Sequence, residues 1–201
     1  PFLLALITIL IAFLNYTPGT FLTGWDTLHP EFNFAQQFSN ILFGVFRTDQ
    51  GLGAISAHSH MAELPRIILL WLFSFIFPLS FLRYSIIFLC FILGPLGIYF
   101  FIKKVLSIEY RVSSKIQNTE YGILNTNVSA FLGSLVYIFN LGTVQHFYVP
   151  FEMFTVQYAA LPWIFLFALK FIERPQAVNL LLFAFANFLA SPMGYASVLW
   201  Y

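Results

Sequence analysis

Between residues 81 and 102 the chain carries a single charge, Arg83, in an otherwise apolar run. A helix of that length rises roughly 33 Å at about 1.5 Å per residue. A bilayer's hydrocarbon core is about 30 Å thick, so the run is long enough to cross one. Further apolar stretches lie at 2–14, 123–142, 158–172 and 177–190. Only 8% of residues are charged and 60% are hydrophobic, against about 25% charged in a typical soluble domain. Such a chain cannot cover a water-facing surface, which predicts an all-α, polytopic integral membrane protein. The net charge of +1 gives no reason to expect a nucleic-acid partner. Cys90 is the single cysteine and cannot form an internal disulfide. Residue 1 is Pro rather than Met, and the chain stops at Tyr201 without a polar tail. Both ends read as cut, so an N-terminal piece of a longer membrane protein is expected.

One long polar segment, about 15–64, interrupts this apolar sequence and carries three of the four histidines. Asn15-Tyr16-Thr17-Pro18-Gly19 ends the first span, Pro by removing a donor and Gly by permitting a turn. From 35 to 47, Phe38, Ile41, Leu42, Val45 and Phe46 recur at helical spacing, with Gln36, Gln37 and Asn40 on another face. That pattern predicts an amphipathic helix lying in the interface plane. Gly51 and Gly53 predict a flexible turn but lack the rest of a phosphate-loop motif.

Residues 65–77 are apolar but reach only about 20 Å as a helix, short of a crossing. Charge arbitrates between a crossing and a re-entrant or interfacial helix. Lys103, Lys104, Arg111 and Lys115 cluster at 103–122, and Lys170 and Arg174 follow the 158–172 span. The positive-inside rule puts both clusters in the cytoplasm. If 65–77 does not cross, the long polar segment falls outside, together with a second loop at 143–157 and a third turn at 191–195. If it does cross, the long loop shares a side with the basic linkers, which is less economical. The Asn127-Val128-Ser129 triplet then falls at an inner span end, where glycosylation is not expected.

Several residues could carry chemistry at the outer face. Asp26 sits shortly beyond the first span beside Trp25, a natural interfacial anchor. It suits a general base, a cation ligand or a helix cap. His29, Glu31 and Asn33 alternate around Pro30, which on extended backbone puts them on one side. His58, His60 and Glu63 are the nearest approach to a metal set, although the spacing matches no standard zinc motif. Binding a phosphate-bearing donor near Arg66 is the other reading of that stretch. Glu152 lies among Tyr148, Pro150, Phe151 and Phe154 and needs a charged partner there. His146 belongs to the same second loop.

Gly24-Trp25-Asp26, Pro30-Glu31-Phe32-Asn33, Gln50-Gly51-Leu52-Gly53 and the stretch from Pro150-Phe151-Glu152 to Leu161-Pro162-Trp163 resemble bacterial arabinofuranosyltransferase-like proteins, relatives of the type C glycosyltransferases. The resemblance implies a membrane transferase that takes a sugar from a polyprenyl-phosphate donor at the outer face of the cytoplasmic membrane. The acceptor would be a glycan, lipid or protein of the cell envelope. It makes Asp26 the catalytic base and Glu152 a second acidic site residue, where many relatives carry Asp. It implies that 65–77 is the short helix after the first loop. On this reading Trp25, Glu31, Asn33, Arg66 and His146 contact substrate. A divalent cation, Mg or Mn, is a candidate cofactor at His58, His60 and Glu63. The rival readings are a transporter or flippase of lipid-linked substrates, which predicts charges midway along the spans, and a non-catalytic membrane scaffold.

Overall fold

The computed structural model describes residues 1–24, 29–43, 46–47, 53–55, 61–112, 120–150 and 152–195. Eight α-helices account for most of these described residues: α1 (Phe2–Leu14), α2 (Phe34–Phe43), α3 (Leu64–Phe73), α4 (Leu79–Val112), α5 (Glu120–Phe139), α6 (Leu141–Tyr148), α7 (Glu152–Glu173) and α8 (Ala177–Ala190). Short 3-10 turns occupy Pro30–Phe32, Met61–Glu63 and Ser191–Tyr195. Extended pairing among the described residues is confined to a two-residue antiparallel ladder, β1 (Phe46–Arg47) with β2 (Ala54–Ile55). Gly53, at a φ of 99°, adopts the left-handed backbone needed just before β2.

Among the described residues two helices are long and apolar enough to cross a membrane, over Leu79–Ile108 and Glu152–Glu173. A third candidate is the pair Asn125–Phe139 and Leu141–Tyr148, bent by 49° at the break. Phe2–Leu14 and Ala177–Met193 are apolar but shorter. Several sequence-based expectations change. The 103–122 linker is helical as far as Val112. The second loop at 143–157 is mostly helix, since α6 ends at Tyr148 and α7 begins at Glu152. The reason lies at Asn140, which stops α5 and caps α6. Its side chain accepts from the Thr143 backbone N–H at 3.0 Å, and Thr143 Oγ1 donates to Tyr137 O at 2.6 Å. Those bonds satisfy groups exposed by the kink, so no open loop is required. Likewise the alternation of His29, Glu31 and Asn33 does not produce a strand. Pro30 opens a 3-10 turn instead, and Asn33 begins α2 by accepting from the Gln36 N–H at 3.1 Å.

α4 is the central helix, with α1, α5 and α7 packed along it. Glycines set how closely α7 approaches. A Cβ on Gly94 would overlap the Tyr158 ring, and one on Gly97 would sit 2.8 Å from Trp163 Nε1. α7 therefore lies almost on the α4 backbone, as small residues allow between apolar helices. Trp163 Nε1 donates to Leu93 O at 3.0 Å across the same contact. Polar groups on the shorter helices are satisfied locally. Asn179 donates to Arg174 O at 2.9 Å at the end of α7, and Asn187 to Phe183 O at 2.8 Å within α8.

The polar segments gather at one end of this bundle. Tyr16 packs edge-on against Phe81 and Tyr84, and Thr20 Oγ1 lies 2.9 Å from the Tyr84 hydroxyl. Ser191 Oγ donates to Ala62 O at 2.7 Å, joining the last turn to the one before α3. Beneath them, Ile41, Ile67, Leu70, Leu82, Ile86, Val156 and Ala159 form one buried cluster from α2, α3, α4 and α7. At the far end, Lys104 of α4 is ion-paired with Glu173 of α7.

Candidate functional site

On top of that apolar cluster lies a buried network of three carboxylates and two guanidiniums. Glu31, Glu63, Arg83 and Glu152 are each between 4% and 6% exposed, and Arg66 is 9% exposed. Arg66 Nε meets Glu63 Oε2 at 2.5 Å, and its Nη1 lies 3.5 Å from Glu152 Oε1. Arg83 Nε meets Glu31 Oε1 at 3.1 Å, and its Nη2 lies 3.4 Å from the same Glu152 oxygen. His29 Nδ1 approaches Glu31 Oε1 at 3.2 Å. One carboxylate, Glu152, thus stands between two arginines that come from different elements.

Each member is placed by its local structure. Pro65 in the first turn starts α3 and fixes Glu63 and Arg66 three residues apart, on one face. Glu152 is the first residue of α7, where the helix dipole favours a carboxylate. Arg83 lies in the second turn of α4, where its buried guanidinium faces Glu31 and Glu152. Glu31 is delivered by the Pro30–Phe32 turn. Burial works against the charge of Arg66, but Glu63, Glu152 and Glu31 outweigh it and hold its pKa above the ordinary guanidinium value.

Glu31 Oε2 and Glu152 Oε1 are buried and receive no hydrogen bond from the described residues. Glu152 Oε1 is flanked by both guanidiniums, so its position is electrostatically favourable although neither contact is a well-formed hydrogen bond. Glu31 Oε2 has no such neighbour in the ion pairs above.

An apolar cavity of about 440 Å³ opens at the same end of the bundle. It lies between the end of α1, the first turns of α4 and the α5–α6 bend, with Ile11, Tyr84, Phe88, Phe91, Phe139 and Phe147 in its wall. Asn15 and Thr143 are among the polar residues that line it.

No family model, curated protein or solved structure matches the chain. The chemistry of the site rests on its own residues.

Of the residues singled out in the sequence, the structure brings Glu31, Glu63, Arg66 and Glu152 together. Trp25, Asp26, His58 and His60 lie outside the described residues. Asn33 is exposed and engaged in capping α2, with Nδ2 donating to Gln36 Oε1 at 3.1 Å. His146 stacks on Phe154 at 5.7 Å, and its Nδ1 is buried with no hydrogen-bond partner among the described residues. Among the described residues no group of three His, Cys, Asp or Glu is placed to hold a metal ion, and the Glu63 carboxylate is held by Arg66. His29, singled out with Glu31, joins the network through Glu31 Oε1, and Arg83 completes it without having been singled out for the site. For Arg83 a signal existed, since a lone charge in a membrane-grade run needs a partner and marks a function.

Proposed function

We propose that this chain is part of a membrane-embedded glycosyltransferase that moves a sugar from a polyprenyl-phosphate donor to a cell-envelope glycan, lipid or protein acceptor. The observation that carries the reading is where the ion network sits. Between Arg83 and Lys103 there is no charge, a rise of about 30 Å along α4. Between Glu152 and Lys170 there is likewise none, a rise of about 27 Å along α7. The network therefore occupies one edge of the apolar layer, and lysines occupy the other. A transporter needs polar groups at mid-depth, where α4 and α7 have no charge. An enzyme joining a lipid-linked donor to a water-borne acceptor needs them at the edge.

The lysine-rich end faces the cytoplasm by the positive-inside rule, so the network faces outward across the cytoplasmic membrane. On the polytopic reading, α1, the bent α5–α6 pair and α8 are spans as well, and α3 is re-entrant. Large apolar side chains exposed along α1 and α8, such as Phe2, Phe13, Leu181 and Phe185, suit contact with lipid. The neighbouring apolar cavity suits the donor's hydrocarbon tail.

In this mechanism Asp26 accepts the proton of the acceptor hydroxyl as its oxygen attacks the anomeric carbon. The sugar–phosphate bond breaks on the opposite side, giving inversion. Negative charge grows on the departing phosphate and is stabilised by Arg66, whose guanidinium stays charged in its acidic surroundings. Glu63, one of the three residues expected to hold a divalent cation, is paired with Arg66 instead.

The test is transfer from a polyprenyl-phosphate sugar by the protein in liposomes, comparing D26N with the unmodified protein. A fall of about 100-fold or more is expected for loss of a general base. Unchanged transfer by D26N refutes the base assignment. No transfer by the unmodified protein favours the scaffold reading, in which the paired network is only a joint between segments.

A further inference from the structure

We propose that Glu31 is the specificity residue of this site and that its free oxygen accepts a hydrogen bond from a hydroxyl of the transferred sugar. The inference rests on the donor reading above and adds which chemistry the network recognises. The Glu31 side chain is 2% exposed. Its two oxygens differ in kind. Oε1 takes Arg83 Nε at 3.1 Å and lies 3.2 Å from His29 Nδ1. Oε2 is buried and receives nothing from the described residues. Buried carboxylate oxygens are normally satisfied, and one left bare is costly, so a partner is called for.

The network itself defines that partner. Its guanidiniums are turned to Glu63 Oε2, Glu152 Oε1 and Glu31 Oε1, so a donor for Glu31 Oε2 has to come from outside these pairs. A phosphate brings only acceptors at this point and is excluded as the occupant of Oε2. A hydroxyl brings one donor for one free oxygen. Among the described residues no ligand set for a metal ion is present to compete for it. Glu31 is also preorganised. Pro30 fixes the turn that carries it, Asn33 anchors the following helix, and Arg83 on α4 holds Oε1 from the other side. An acceptor fixed in this way distinguishes a sugar bearing the matching hydroxyl from a lipid phosphate without one.

The experiment is a binding titration on the full chain in nanodiscs, with farnesyl phosphate and farnesyl phosphoryl-arabinofuranose as the two probes. The unmodified protein is expected to bind the sugar-bearing lipid about ten-fold or more tightly than the bare one, the range for a hydrogen bond to a charged group. E31Q is expected to lose most of that ratio, which is read within each variant so that any change in its affinity for farnesyl phosphate cancels. E31D, which keeps the charge but shortens the reach, carries the same expectation if E31Q does not accumulate. If the ratio survives in E31Q or E31D, Oε2 takes no sugar hydroxyl and the proposal is overturned. If the unmodified protein binds both probes equally, it is overturned as well, while the lipid-phosphate part of the donor reading stands. If neither probe binds, the donor reading itself fails and this proposal fails with it.

Discussion

Arg83 is expected to be more costly to remove from the network than Glu152. Arg83 faces Glu31 at 3.1 Å and Glu152 at 3.4 Å. At an effective dielectric of about 20, each such pair is worth roughly 5 kcal/mol of Coulomb energy before desolvation is counted. Replacing Arg83 by Met removes the guanidinium's own desolvation cost but leaves Glu31 without its main cation and Glu152 with only Arg66. Stranding a buried charge in this way costs about 3–5 kcal/mol. E152Q differs because each arginine keeps its nearer carboxylate, Glu63 for Arg66 and Glu31 for Arg83. Its cost is expected near 1–2 kcal/mol, about the scale of weakened but not orphaned polar contacts. Thermal unfolding in detergent, followed by loss of helical circular dichroism, reads both. For a chain of this size one kcal/mol moves Tm by about 2–4 °C. R83M should therefore lower Tm by about 6–20 °C and E152Q by about 2–8 °C. A double-mutant cycle on Arg83 and Glu152 should show non-additivity of about 0.5–3 kcal/mol. If R83M melts within about 2 °C of the unmodified protein, or E152Q costs more than R83M, the network is not the joint described here.

Two further outcomes are expected. G94L drives a side chain into the space held by the Tyr158 ring, so it should separate α4 from α7, cost about 1–3 kcal/mol and lower the yield of folded protein; an unchanged Tm refutes the close-packing account. Reporter tags after Lys104 and beside Gly53 should lie on opposite sides of the membrane; a shared side refutes the re-entrant reading of α3.

Individual elements were legible where local signals sufficed. The apolar run at 81–102 lies wholly inside α4, and the helical spacing of Phe38, Ile41 and Leu42 became α2, although that helix stops at Phe43 and Phe46, expected on it, lies in β1. The stretch from Asn15 to Gly19 marked the end of the first helix through backbone chemistry that acts within a few residues. The need of Glu152 for a positive partner was legible too. The stretch 143–157 was misread as a loop, because Tyr148, Pro150 and Glu152 look like loop polarity when their tertiary partners are unknown. Pro162 likewise sits inside α7 without ending it, since packing against α4 outweighs the lost hydrogen bond.

Composition and period alone dictate the class of the molecule: a helical chain with membrane-grade runs, lysines at one end of those runs and mixed polar residues at the other. Such properties need no partner to be expressed. Which acid meets which arginine depends instead on the packed helices. Glu31, Glu63, Arg66, Arg83 and Glu152 come from stretches up to 121 positions apart in the chain, and no periodicity links them. They meet because α3, α4 and α7 share one apolar core beneath them, and a buried charge is stable only where that packing delivers its counter-charge.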